Sequence, residues 1–199
     1  MPGKVFFIII LCLFGFSFSD TCGTEILLPK KCKELIAGIG TPMQVCVADV
    51  NGDSTDDYVV AVQFDRDPEN DAVDDNDREL VVITKKGGTY AIAAESQKTM
   101  LCSRCGGVMG DPFEAIDAGR KWFSVYHSGG SRNRWSSMFK FGYSRRDKNW
   151  QLIEVQNSSL DTYDESDSGT TTIHKPPKDY GLITFEEFNP DDYLGKGKK

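Results

Sequence analysis

The chain has 199 residues, with 23 Lys and Arg against 30 Asp and Glu and a net charge of −7. That length fits one domain, and the negative field argues against nucleic acid or an anionic membrane as the main partner. Apolar residues at 39%, with 11% aromatics, supply a packed core and argue against wholesale disorder.

The chain opens with Lys4, an apolar run from Val5 to Phe16, and Ser17-Phe18-Ser19 ahead of Asp20. This is the pattern of a secretory signal cleaved after Ser19, and the run is too short to span a bilayer. Lipidation at Cys22 is the alternative, disfavoured by the polar residues ahead of it. Cleavage removes one basic residue and leaves the mature chain at −8. The expected location is periplasmic or secreted, with no transmembrane segment after cleavage. Five cysteines remain, Cys22, Cys32, Cys46, Cys102 and Cys105, in a compartment where disulfides persist. The expected pairs are Cys22 with Cys32 and Cys102 with Cys105. Cys46, inside the run Val45-Cys46-Val47-Ala48, reads as a buried free thiol.

A first strand is predicted over Met43 to Ala48, and Asp49-Val50-Asn51-Gly52-Asp53-Ser54-Thr55-Asp56-Asp57 follows it. Asp49, Asn51, Asp53 and Asp57 place oxygen side chains at positions 1, 3, 5 and 9, with the Thr55 carbonyl at position 7, the spacing of a Ca²⁺ loop. The sixth position is Ser54 rather than Gly and the twelfth is Val60 rather than Glu, so the loop departs from the helical calcium hand. The other reading is an Asp/Asn-rich turn that caps its own backbone. The segment VADVNGDSTDDYVVAV, Val47 to Val62, resembles the calcium loop of FG-GAP or VCBS-type repeats, in which an Asp-x-Asn-Gly-Asp turn leads into an apolar strand. Two further segments, CSRCGGVMGDPFEAI and GGSRNRWSSMFKFGYSRRDKNWQLIEV, are similar to parts of exported bacterial proteins of unassigned activity that carry one such loop. The resemblance implies a secreted or periplasmic β-domain binding Ca²⁺. A propeller needs at least four blades of about 40 residues each, more than a chain with a single loop supplies.

Downstream, strands are predicted over Tyr58 to Phe64, Leu80 to Lys85, Thr89 to Ala94, Phe113 to Asp117, Trp122 to His127, Trp135 to Tyr143, Trp150 to Val155, Thr170 to His174 and Tyr180 to Phe185. Trp135, Ser137, Phe139, Phe141 and Tyr143 share one face at period two, and most of those rings are expected in the core. Short links at Lys86-Gly87-Gly88, Gly119-Arg120 and Arg145 to Asn149 predict hairpins. Asp65 to Glu79 and Asn157 to Ser168 read as polar connections, and the first of these as a mobile loop. The expected fold is all-β, a single antiparallel β-sandwich or strongly curled sheet and not a full propeller. Residues 1–19 form the signal, 20–194 a single β-rich domain and 195–199 a basic disordered tail.

Cys102-Ser103-Arg104-Cys105 has the spacing of a redox or zinc motif, but Gly106-Gly107 breaks the helix that would activate a thiol there, so a disulfide staple is expected. Tyr126-His127-Ser128-Gly129-Gly130-Ser131 lacks the G-x-S-x-G context of a hydrolase and reads as a strand ending in a turn. Charge is lopsided. Gly119 to Lys148 holds eight basic residues against Asp147, and Asp49 to Glu79 holds twelve acids against two bases. Arg132, Arg134, Arg145 and Arg146, interleaved with aromatic residues, are candidates for an anion or partner surface, the partner being an envelope protein or an anionic glycan. Salt bridges to the acidic loops are the plainer reading of the same residues. The function expected is a non-enzymatic, exported, calcium-binding β-domain with a binding or protective role of the inhibitor or immunity kind. A secreted hydrolase with acidic catalytic residues, in Asp49 to Asp57 or around His127, is the alternative.

Overall fold

Two five-stranded antiparallel sheets form the molecule, in a computed structural model that describes residues 21–23, 28–65, 77–164, 166 and 168–193. The first sheet has the order β1 (Thr21–Gly23), β2 (Gly40–Ala48), β3 (Asp57–Phe64), β4 (Arg78–Lys86), β5 (Thr89–Ser96). The second runs β10 (Thr170–His174), β9 (Asn149–Asp161), β8 (Asn133–Ser144), β7 (Trp122–Gly130), β6 (Phe113–Gly119). Neighbours in each sheet are neighbours in sequence, so hairpins generate the topology. Gly87 and Gly88 make the β4–β5 turn at φ 58° and 81°, the left-handed values that such a two-residue turn needs. The fold is the expected all-β sandwich. The predicted signal, the tail 195–199 and most of the acidic connection, residues 66–76, lie outside the described residues.

Period-two alternation aims one face of each sheet at the other. Cys46, Val59, Ala61, Leu80 and Val82 from the first sheet meet Ile116, Phe123, Val125, Phe139 and Phe141 from the second. Phe139 and Phe141 are buried as expected, whereas Trp135 and Tyr143, at the ends of the same stripe, are only half-buried. The other face of the first sheet is also covered. A short helix, α1 (Lys30–Ile36), lays Cys32 and Ile36 over Val60, Val62, Val81 and Ile83. This explains the unbroken apolar runs of β3 and β4, since a strand buried on both faces has no polar side to alternate with. No helix was expected here, because two turns are too short to show a 3.6-residue period.

Three expectations are corrected. Cys22 is bonded to Cys46, not to Cys32. The β1–β2 register sets Cys22 directly opposite Cys46, while Cys32 is buried under α1 as the free thiol. A sulfur shared with Cys46 is not available for the thioether that lipidation at Cys22 requires. Tyr180 to Phe185 is not a strand: it makes one bridge, Gln151 to Thr184, and then turns Phe185 and Phe188 into the core. Finally, β9 continues through Asn157 to Asp161, where a connection was predicted, because β8 and β10 pair with it on both sides.

The Cys102–Cys105 disulfide forms as expected. Non-reducing peptide mapping of the protein should recover Cys22 linked to Cys46, Cys102 linked to Cys105, and a Cys32 thiol that alkylates only after denaturation. A Cys22–Cys32 peptide would contradict the register of β1.

Candidate functional site

The Asp49–Asp57 loop leaves β2 and re-enters the sheet at β3, and both sheets brace it. From the first sheet, the Lys85 amide donates to Asp57 Oδ1 at 3.2 Å. From the second, the Lys121 amide donates to the Asp49 carbonyl at 2.9 Å and Trp150 Nε1 donates to the Val50 carbonyl at 2.9 Å. The Lys121 side chain lies under Gly52, where a Cβ would come within 2.4 Å of it. Gly52 at φ 76° and Ser54 at φ 69° turn the chain through left-handed backbone. Ser54 therefore occupies the conformation that glycine adopts without strain.

Within the loop, Asn51 Oδ1 accepts from the Asp53 amide at 2.8 Å, Asp53 Oδ1 accepts from the Thr55 amide at 2.9 Å, and Asp49 Oδ2 accepts from the Ser54 amide at 3.1 Å. The turn thus caps its own backbone, as one of the two readings of the sequence expected. Those bonds leave two oxygens over. Asp49 is 7% exposed and Asp57 is fully buried, yet Asp49 Oδ1 and Asp57 Oδ2 have no hydrogen-bond partner. Burial raises the Asp57 carboxyl to about 7, helped by the charges of Asp53 and Asp49 and opposed by the Lys85 and Asn51 amides. The Arg120 guanidinium, 3.4 Å from Asp49 Oδ2 and largely exposed, offsets part of the local negative charge. Buried carboxylate oxygens without donors fit a hard cation. Asp49, Asp57, Asn51, Asp53 and the Thr55 carbonyl are the groups that would hold it. Among the described residues no three His, Cys, Asp or Glu side chains form a ready-made metal cluster, so coordination would draw on the amide and carbonyl oxygens of this turn as well as its carboxylates.

The four arginines singled out in the sequence do not form one patch. Arg132 and Arg134 flank the start of β8 and Arg145 and Arg146 follow its end, with the whole 12-residue strand between them, roughly 40 Å at 3.3 Å per residue. Arg132 makes a fork with Asp161, its Nη2 2.6 Å from Oδ2, and it holds that carboxyl down to about 2. Arg146 pairs with Asp147 at 2.9 Å. Arg134 donates to the Ser131 carbonyl at 3.0 Å. Only Arg145 turns toward the acidic loop, where its Nη2 donates to the Gly52 carbonyl at 3.3 Å.

His127 and Ser128 point to opposite faces of β7. Ser128 Oγ donates to Glu114 on the outer face. His127 is 1% exposed, and its Nε2 accepts from the Leu101 amide at 3.3 Å. Burial, reinforced by the nearby Arg78 charge and opposed by Asp111, lowers its pKa to about 4, so the ring is neutral and serves the fold. Arg78, 2% exposed, is gripped by both oxygens of Asp111, by Gln63 Oε1 at 2.9 Å and by the Leu101 carbonyl at 3.4 Å. Asp77 takes the Ser103 amide and hydroxyl at 3.0 and 2.6 Å, which ties the disulfide turn to the same knot. Nothing local in the sequence announces this arrangement, since its members come from β3, the start of β4 and the connection between β5 and β6.

A cleft of about 480 Å³ opens beside the acidic loop, walled by the end of β4 and by the β8–β9 hairpin. Lys85, Lys86 and Lys148 line it with Arg145. The sequence reading counted Lys148 in the basic stretch from Gly119 but named none of these lysines as a site residue, because the β4–β5 and β8–β9 turns lie far apart in the chain. Comparison of the chain with family models, with curated proteins and with solved structures finds no match.

Proposed function

We propose that the protein is an exported, non-enzymatic β-sandwich of the bacterial envelope that binds Ca²⁺ in the Asp49–Asp57 loop and has a binding or protective role of the inhibitor or immunity kind. The observation that carries the calcium reading is the pair of buried, unpartnered oxygens, Asp49 Oδ1 and Asp57 Oδ2, at the two ends of one loop. Their ionised forms repel each other in a dry setting, and a divalent cation converts that repulsion into attraction. The left-handed Ser54 at the sixth position and the resemblance of Val47 to Val62 to an FG-GAP or VCBS loop support the same assignment. Two disulfides are consistent with an oxidising compartment outside the cytoplasm, and no described helix is long and apolar enough to cross a membrane.

The test is thermal unfolding with Ca²⁺ and with EDTA. A cation that binds only the folded state adds RT ln(1 + [L]/Kd), about 2.7 kcal/mol at a hundredfold excess over Kd. For a chain of this size that is roughly 5 to 10 °C in Tm. Asp57→Asn relieves the buried charge, so it should fold normally and show no response to calcium. Superimposable melting curves in Ca²⁺ and EDTA would refute the assignment.

A further inference from the structure

We infer that the cleft between the acidic loop and the β8–β9 hairpin is a binding site for a phosphate monoester on a small organic body. Three cations converge there from two separate places. Lys86 comes from the end of β4, and Arg145 and Lys148 come from the turn that joins β8 to β9, while the Lys85 ammonium lies over Tyr90 on the other face of the sheet. Asp53, reaching in from the acidic loop, is the one carboxylate among the lining residues. The ionisable side chains that face the cleft thus carry a surplus of two positive charges.

Four arginines elsewhere are matched, Arg78 with Asp111, Arg120 with Asp49, Arg132 with Asp161 and Arg146 with Asp147, while Arg134 bonds the Ser131 carbonyl. The three cleft cations have no carboxylate in ion-pair range among the described residues. Arg145 spends one Nη donor on the Gly52 carbonyl. Cations held within a Debye length, about 8 Å at physiological ionic strength, repel one another. A bound anion relieves that repulsion without any change of fold.

The charge of the lining selects the ligand class. A phosphate monoester carries close to two negative charges at neutral pH and offers three acceptor oxygens, enough to engage donors on both walls. A single carboxylate would leave half of the surplus unmatched. The floor has a different character. Tyr143 is half-buried there, packed at 5.0 Å centroid separation against the buried Trp150, and it presents ring surface beside the Ala93 methyl. Such a surface suits the body of a sugar phosphate or a comparable small ester. The cleft volume is also in the range of small-molecule sites. The cleft cations do not depend on the calcium reading; Asp53 belongs to both sites, and a cation in the loop would add to the positive potential.

The experiment is an amide-resolved NMR titration of the whole mature protein with glucose 6-phosphate, run once in EDTA and once in Ca²⁺, with glucose as the uncharged control. Saturable shifts centred on Gly52, Lys86 and Lys148 in at least one of the two buffers are expected, with glucose silent. Lys86→Ala combined with Lys148→Ala alters two exposed side chains and leaves the core untouched, and it should weaken binding at least tenfold. Arg132→Ala with Arg134→Ala, at the far end of β8, should bind as the wild type does. The proposal is overturned if no saturable shift appears in either buffer, if glucose binds equally well, or if the Lys86/Lys148 variant titrates like the wild type, which would mark an unspecific ion atmosphere. The melting experiment tests calcium separately, so either reading can fail alone.

Discussion

Replacing Phe141 with Ala should lower the unfolding free energy by about 3–5 kcal/mol, the range for truncating a fully buried aromatic ring. Phe141 is fully buried on the inner face of β8. Its ring lies 5.3 Å from Phe123, 5.2 Å from Phe185 and 5.2 Å from Phe188. The last two belong to the C-terminal segment, which hydrogen-bonds back to β9 through the Phe185 amide and the Trp150 carbonyl. The cavity left by alanine therefore opens where the two sheets and the C-terminal segment meet, and rigid strands on either side cannot collapse into it. Urea unfolding measures the loss. Phe141→Leu, which keeps most of the volume, should recover over half of it. A Phe141→Ala cost below about 1 kcal/mol would mean that the aromatic cluster is not the centre of the core.

The second large effect is a pH dependence carried by His127. Its folded pKa is about 4 against 6.5 for an ordinary histidine. Between those values the unfolded chain binds a proton that the folded chain refuses, so stability falls as pH drops through the window and is fully present above 6.5. A shift of that size corresponds to about 3 kcal/mol between pH 7 and pH 4. Arg78 reinforces the effect, because a second buried cation next to its guanidinium is unfavourable, and Asp111 opposes it. Asp57 works in the opposite direction over an overlapping range: its raised pKa makes the calcium-free protein lose stability as pH rises from about 4 to 7. The clean quantity is therefore the difference between wild type and His127→Gln, in which Asp57 cancels. Glutamine keeps an acceptor for the Leu101 amide and cannot ionise. Plotted against pH, the difference should move by about 3 kcal/mol in favour of the variant on going from pH 7 to pH 4. Parallel curves would show that the imidazole does not control acid stability.

Much of this architecture was legible because strand signals are local. Alternation along Trp135 to Tyr143, glycine pairs at the turns and Asp/Asn-rich connections each depend on a few adjacent residues, and the structure places strands at nine of the ten predicted positions. The acidic loop was legible for the same reason, since all five of its candidate ligands fall within nine residues. The tenth predicted segment, Tyr180 to Phe185, has the composition of a strand. Its fate was decided by the aromatic cluster, which takes Phe185 and Phe188 inward. Helix α1 was invisible because two turns carry too few residues to define a period.

What the amino-acid sequence by itself determined is the strand content, the hairpin order and the spacing of oxygens in one loop, all properties of neighbouring residues. Which residues meet across the sandwich was decided only by the tertiary structure. Cys46 looked like a core thiol because its neighbours are apolar, yet the register of three β1 residues sets Cys22 against it. Arg132 and Arg145 looked like members of one patch because they are near in sequence, yet an extended strand carries its ends apart. Lys86 and Lys148 lie on turns far apart in the chain, yet antiparallel pairing and sheet stacking bring those turns to one end of the molecule. Chain proximity is a poor guide in an all-β fold, because each strand separates what it joins and the contacts that close the core link residues far apart in sequence.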